Sequence, residues 1–169
     1  MPPQRTKRNP VPRRRGRGRI VPAAQQPRNE GPQRIAKLLA RAGIGPIHLL
    51  TTRGCRTGRL HTNPVVRVEQ DGKSWLVAPY GAVSWVHNAR AAKRVSLRRG
   101  RGTGDYAVRE VGPAEAGPVL KRYVGIASRA RASFQASKDS PVEDFVAEAH
   151  RHPVFELTAL SKDESWTPS

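Results

Sequence analysis

The sequence predicts an antiparallel β-barrel with inserted helices, a mainly β chain of the α+β class. Three observations predict it. Six short segments have strand composition; Asp71-Gly72 joins two of them as a hairpin; and the helical segments do not alternate with every strand, which argues against a Rossmann sheet. With 169 residues and 37% hydrophobic content, the chain buries one core of ordinary size.

Residues 1–30 stand apart. They are filled with Arg, Pro, Gly and Gln, and nine Lys or Arg face the single acid Glu30. So few apolar residues cannot offset the entropy of ordering, and the segment reads as a disordered basic tail ahead of a folded domain over 31–169.

The elements follow in order. Ile35, Leu38, Leu39 and Ala42 recur at helical spacing from Gln33 to Ala42, and Gly43, Gly45 and Pro46 stop the pattern. Ile47 to Thr52 reads as a strand feeding a basic glycine loop, Arg53 to Arg59. Leu60 to Val68 and Ser74 to Ala78 are the two hairpin strands. Pro79-Tyr80-Gly81 breaks the second, and Val83 and Val86 place a short helix that ends near Ala92. Arg94 to Arg98 and Asp105 to Val111 form another strand pair around Gly100-Arg101-Gly102. Helices are expected from Pro113 through Tyr123 and from Pro141 to His150, and Val154 to Leu160 closes the set.

The formal net charge of +18 predicts attraction to polyanions: nucleic acid, an anionic membrane surface, or a small ligand carrying phosphate and carboxylates. Cys55, the only cysteine, excludes an internal disulfide and fits a reducing, cytoplasmic setting. No stretch reaches the roughly 18 consecutive apolar residues of a membrane span, and no apolar run follows the basic start as in a secretory signal. Membrane contact is therefore expected only as peripheral association at the inner membrane surface. His48, His61, His150 and His152 show no metal-ligand spacing, so no metal site is expected.

Arg53-Gly54-Cys55-Arg56-Thr57-Gly58-Arg59 carries the strongest local chemistry. Glycines let backbone N–H groups turn toward an anion, and guanidinium groups bond phosphate or carboxylate bidentately. The loop lacks the spacing and Lys-Ser/Thr ending of a Walker motif. On composition alone, it serves equally as a solvated basic turn.

Leu50-Thr51-Thr52-Arg53-Gly54-Cys55-Arg56-Thr57-Gly58 resembles the T-T-x-G-R-K-T-G element of the deazaflavin-dependent nitroreductase family. The likeness continues through Asn63-Pro64-Val65, Val77-Ala78-Pro79-Tyr80-Gly81, Trp85-Val86-His87-Asn88, Ala91-Ala92 and His152-Pro153-Val154-Phe155, spanning about residues 33 to 160. It implies a split β-barrel, FMN-binding-like, and hydride transfer between reduced coenzyme F420 and an organic acceptor such as a quinone, a nitro compound or an activated alkene. FMN is the less favoured cofactor. The acidic tail of F420, a phosphodiester with several glutamates, supplies a polyanion for the basic loop.

Residue by residue, the resemblance implies that Arg56, Thr57 and Gly58 hold the phosphate and tail, with Arg53 and Arg59 as helpers. Pro64, Val77, Ala78 and Pro79 would wall the deazaflavin ring; Trp85 would pack there, and Asn88 would bond the coenzyme or brace the loop. Cys55 stands where the commonest pattern has a basic residue. Tyr80 and His87 are the candidate proton donors. Hydride chemistry belongs to the cofactor, so no nucleophile triad is needed. A homodimer is a further expectation. The principal rival reading is a nucleic-acid-binding protein that uses its Arg-rich tail on phosphate backbones.

Overall fold

The computed structural model describes residues 30–161. The expected tail lies outside the described residues except at Glu30, where the first helix begins. α1 (Glu30–Ala42) starts three residues before the sequence pattern suggests. It stops at Gly43 (φ 72°), whose N–H returns to Ala40 O while Ile44 N–H returns to Leu39 O. This glycine-capped end satisfies carbonyls that the helix leaves open.

Six strands follow: β1 (Ile47–Arg53), β2 (Leu60–Gln70), β3 (Lys73–Val77), β4 (Arg94–Arg99), β5 (Gly102–Glu110) and β6 (Val154–Ala159). All pairings are antiparallel, in the order β1-β2-β3-β6-β5-β4, and β1 pairs β4 over Leu49–Thr51 to close the barrel. Asp71 (φ 53°) and Gly72 (φ 71°) both take the left-handed region, which matches the twist of the β2–β3 hairpin. The expected antiparallel barrel of the α+β class is what forms.

Alternation along the strands sorts two apolar clusters. Inside the barrel, Leu50, Leu76, Val95, Leu97, Phe155 and Leu157 pack with Trp85, Val86 and Ala89 of α2 (Ser84–Ala92). Outside, Val68, Trp75, Val77 and Val154 pack on Val119, Leu120, Tyr123 and Val124 of α3 (Pro113–Ile126) and on Phe145 of α4 (Val142–Glu148). Each fully buried side chain of this size contributes about 1.5–3 kcal/mol. Glycine permits the α3–α4 crossing, because a Cβ on Gly117 would overlap the Val146 side chain.

Ion pairs fasten the outer elements. Arg90 at the end of α2 makes a two-bond contact with Glu110 of β5 (2.7 and 2.6 Å), and Arg109 joins Glu115 and Glu156. Arg90 holds Glu110, Arg109 holds Glu115, and Lys73 together with Arg109 holds Glu156 below the usual carboxylate range. The contacts are solvent-exposed and screened, so they chiefly fix orientation. Sequence periodicity gives no sign of the 3-10 helix Ser128–Ser133, which follows α3. A second 3-10 turn, Ala149–Arg151, shortens the helix expected through His150.

Candidate functional site

The site begins with a mismatch between strands. β2 pairs with β1 along Leu60–Val66 but with β3 only along Arg67–Gln70. Asn63 to Val66 therefore have no β3 partner, and the sheet splits there. Pro64, which has no N–H to donate, occupies this open edge. On the facing side β3 ends at Val77, and Ala78 N–H turns to Pro153 O at 2.9 Å.

A cavity of about 540 Å³ fills the split. Pro64, Val77, Ala78, Pro79 and Trp85 all line it, as does Tyr80, whereas His87 is exposed on α2 and is not brought to it. The far wall comes from Tyr123, Ile126 and the 3-10 segment Ser128 to Ala130, none of which sequence reasoning singled out. No sequence signal marks that wall, since Ser-Arg-Ala-Arg-Ala-Ser has neither helical nor strand periodicity. Tyr123 also packs in the outer core, where burial pushes its hydroxyl well above the usual tyrosine value.

α2 joins the cavity to the basic loop. Trp85 is 3% exposed and packs on Phe155 (centroids 5.7 Å apart) while still lining the cavity, so it serves both core and site. One turn later Asn88, 5% exposed, points into the loop base. Its Oδ1 accepts the Cys55 N–H at 3.0 Å, and its Nδ2 donates to Thr52 Oγ1 at 3.2 Å. Of the two roles the sequence left open for Asn88, this arrangement makes the brace.

The glycines of the loop act otherwise than composition suggests. Gly54 N–H bonds Arg59 O at 2.7 Å and Gly58 N–H bonds Gly54 O at 2.8 Å, so both close the loop on itself rather than facing outward. Gly58 supplies the turn with φ 67°, and a Cβ on Gly54 would stand 2.7 Å from Thr57 Oγ1. What this folded turn presents to solvent is Arg56, Thr57 and Arg59, with Cys55 beside them; Arg53 is half-buried at the end of β1. From Leu60 at the loop's exit to Asn63 in the cavity wall is three residues, about 10 Å of strand.

A buried polar pair backs the Ala78–Tyr80 wall. His152 Nδ1 bonds Pro79 O at 2.9 Å, and its ring stacks on Phe134 (centroids 4.1 Å apart). A carbonyl only accepts, so Nδ1 carries the proton. Burial pushes the imidazole below the ordinary histidine value, opposed by Glu148, whose Oε2 lies 3.5 Å from Nε2 without forming a hydrogen bond.

The residues fit a coenzyme with a flat ring and an acidic tail. A largely apolar slot lies beside an indole, and three exposed side chains with donors stand one strand segment away. Among the described residues, no three His, Cys, Asp or Glu gather to hold a metal ion, and no helix is long and apolar enough to cross a membrane.

Residues 19–148 match the model of the F420H(2)-dependent quinone reductase family, a match that begins within the segment read as tail and ends before β6. Among solved structures, the chain is similar to an F420-H2 dependent reductase (FDR-A) at 27% identity, with a TM-score of 0.47, covering 67% of this chain and 94% of that one. It is also similar to the protein Atu2129 from Agrobacterium tumefaciens, of unknown function, at 18% identity with a TM-score of 0.51, covering 82% of this chain and 59% of that one. The latter similarity bears on the fold alone.

Proposed function

Because this chain belongs to the F420H(2)-dependent quinone reductase family, and is thereby an oxidoreductase that uses coenzyme F420, we propose that it passes hydride from the reduced coenzyme to a quinone bound in the cavity at the β2–β3 split. The observation that carries the proposal is the continuity of the site: one helix, α2, sends Trp85 to the cavity and Asn88 to the base of the Arg53–Arg59 loop.

When bound, the coenzyme supplies the hydride-bearing carbon of its deazaflavin ring. The chain's own residues do the rest. Arg56, Thr57 and Arg59 would bind the acidic tail through charge-assisted bonds, with Arg53 nearby and Gly58 shaping the turn. Pro64, Val77, Ala78, Pro79 and Trp85 would orient the ring and exclude water from its face. Tyr80, 41% exposed at the cavity, would deliver a proton to the reduced acceptor from its hydroxyl. The mainly apolar lining favours a flat, weakly polar acceptor over a charged one. Nitro compounds and activated alkenes share that shape and rank second.

A fluorescence titration with F420 and with FMN, followed by absorbance assays of the reduced coenzyme against a panel of quinones, nitro compounds and activated alkenes, tests the reading. Binding of F420 in preference to FMN and fastest turnover with quinones are expected. Preference for FMN, or F420 binding without quinone turnover, would overturn the corresponding half.

A further inference from the structure

Two chain segments about fifty residues apart wall the cavity, the Ala78–Tyr80 turn and the Ser128–Ala130 segment, and one buried pair bonds Pro79 in the first and the Gln135–Ala136 backbone a few residues beyond the second. Glu148 and His152, with side chains 5% and 3% exposed, stand one turn apart, Glu148 as the last residue of α4 and His152 just past the 3-10 turn that follows it. Glu148 takes the Gln135 N–H on Oε2 at 2.9 Å and the Ala136 N–H on Oε1 at 3.1 Å, just beyond the 3-10 helix and Phe134. His152 holds Pro79 O and stacks on Phe134, and the next residue, Pro153, takes the Ala78 N–H. Apolar residues of the same volume would fill this space at lower desolvation cost. What they would not do is hold two backbone segments at fixed hydrogen-bond distances.

We propose that Glu148 and His152 are positioning residues that set the width of the coenzyme cavity, His152 through the Pro79 carbonyl and Glu148 through the Gln135 and Ala136 amides. The inference rests on the reading of this cavity as the coenzyme site. Neither side chain lines the cavity, so neither touches the reacting atoms.

Two substitutions separate the hydrogen bond from the packing. His152→Asn keeps a donor where Nδ1 stands and loses the ring; His152→Phe keeps a ring on Phe134 and loses the donor. Affinity for F420 is read by fluorescence titration, and hydrogen exchange at the Ala78 and Gly81 amides is read in the coenzyme-free protein. H152N is expected within about threefold of the unsubstituted chain in both, whereas H152F binds about tenfold more weakly and exchanges faster at both amides. Glu148→Gln, which leaves one oxygen to serve two donors, is expected to weaken binding and speed exchange at Gln135 and Ala136. H152F behaving like the unsubstituted chain, or H152N failing as badly as H152F, overturns the proposal. Should H152F fail to fold, the exchange of E148Q and H152N decides it. If the unsubstituted chain binds no F420, the functional reading fails, while the exchange comparison still judges whether Glu148 and His152 hold the two backbone segments.

Discussion

The side-chain oxygen of Asn88 accepts the backbone N–H of Cys55 at 3.0 Å, tying the helix that carries Trp85 to the loop that carries Arg56. The tie is buried at its Asn88 end and answered on the other side by Thr52, so removing it leaves polar groups unpaired in a dry setting. Asn88→Ala is expected to cost about 1–3 kcal/mol of stability and to weaken F420 binding. Thermal melting and fluorescence titration check the two parts. Lower stability with unchanged affinity would reduce Asn88 to a structural residue.

Arg56 is exposed, so its attraction to an acidic tail is screened by salt. Arg56→Ala should weaken F420 binding about threefold to tenfold at low ionic strength and less at high. A titration at two salt concentrations reads this. Equal affinity at both would remove the loop from the binding site.

Gly54→Ala should damage the loop locally. The new Cβ would meet Thr57 Oγ1 and, at 3.3 Å, the Arg59 carbonyl, which is backbone and does not yield cheaply. A loss of about 1–3 kcal/mol is expected. Coenzyme affinity should fall with it, and chemical denaturation beside titration measures both.

The two candidate proton donors now make opposite forecasts. Tyr80 lines the cavity and His87 does not. Tyr80→Phe is expected to lower kcat about tenfold or more with coenzyme Kd unchanged, whereas His87→Ala should change kcat by less than about twofold. Steady-state kinetics with a quinone acceptor compares them, and a normal rate for Y80F would return the proton to solvent.

Acid should destabilise the protein earlier than its carboxylates require. Burial lowers the proton affinity of both His48 and His152 in the folded state. Below the ordinary histidine value of 6.5 the unfolded chain then binds more protons, and stability falls as pH drops through that value toward the lower folded ones. Above it, this contribution is fully present. Melting temperature should decline below pH 6.5 in the unsubstituted chain and decline less in H152N.

Local signals in the sequence marked most of the barrel. The Asp71-Gly72 turn, the strand runs and the glycine stops are short-range features, and they survive into the structure within a few residues. The cavity lining was partly legible too, because Pro64, Val77, Ala78, Pro79 and Trp85 lie in motifs that the fold brings to one cavity. The rest depends on contacts between distant segments. Nothing near Gly54 or Gly58 indicates that their N–H groups are used internally, since the acceptors come from the loop's folded shape. Likewise the His152-Pro153-Val154-Phe155 motif gives no sign that its histidine holds Pro79, a contact only the fold creates.

The last described strand, β6, is also an internal one, lying between β3 and β5. A nascent chain leaving the ribosome therefore exposes two unsatisfied strand edges after β5 ends at Glu110, until residues 154–159 clear the exit channel. At typical synthesis speeds of about 5–20 residues per second, that interval lasts on the order of several seconds. Open edges of this kind recruit other chains, so newly made protein should lean on chaperones more than its size suggests.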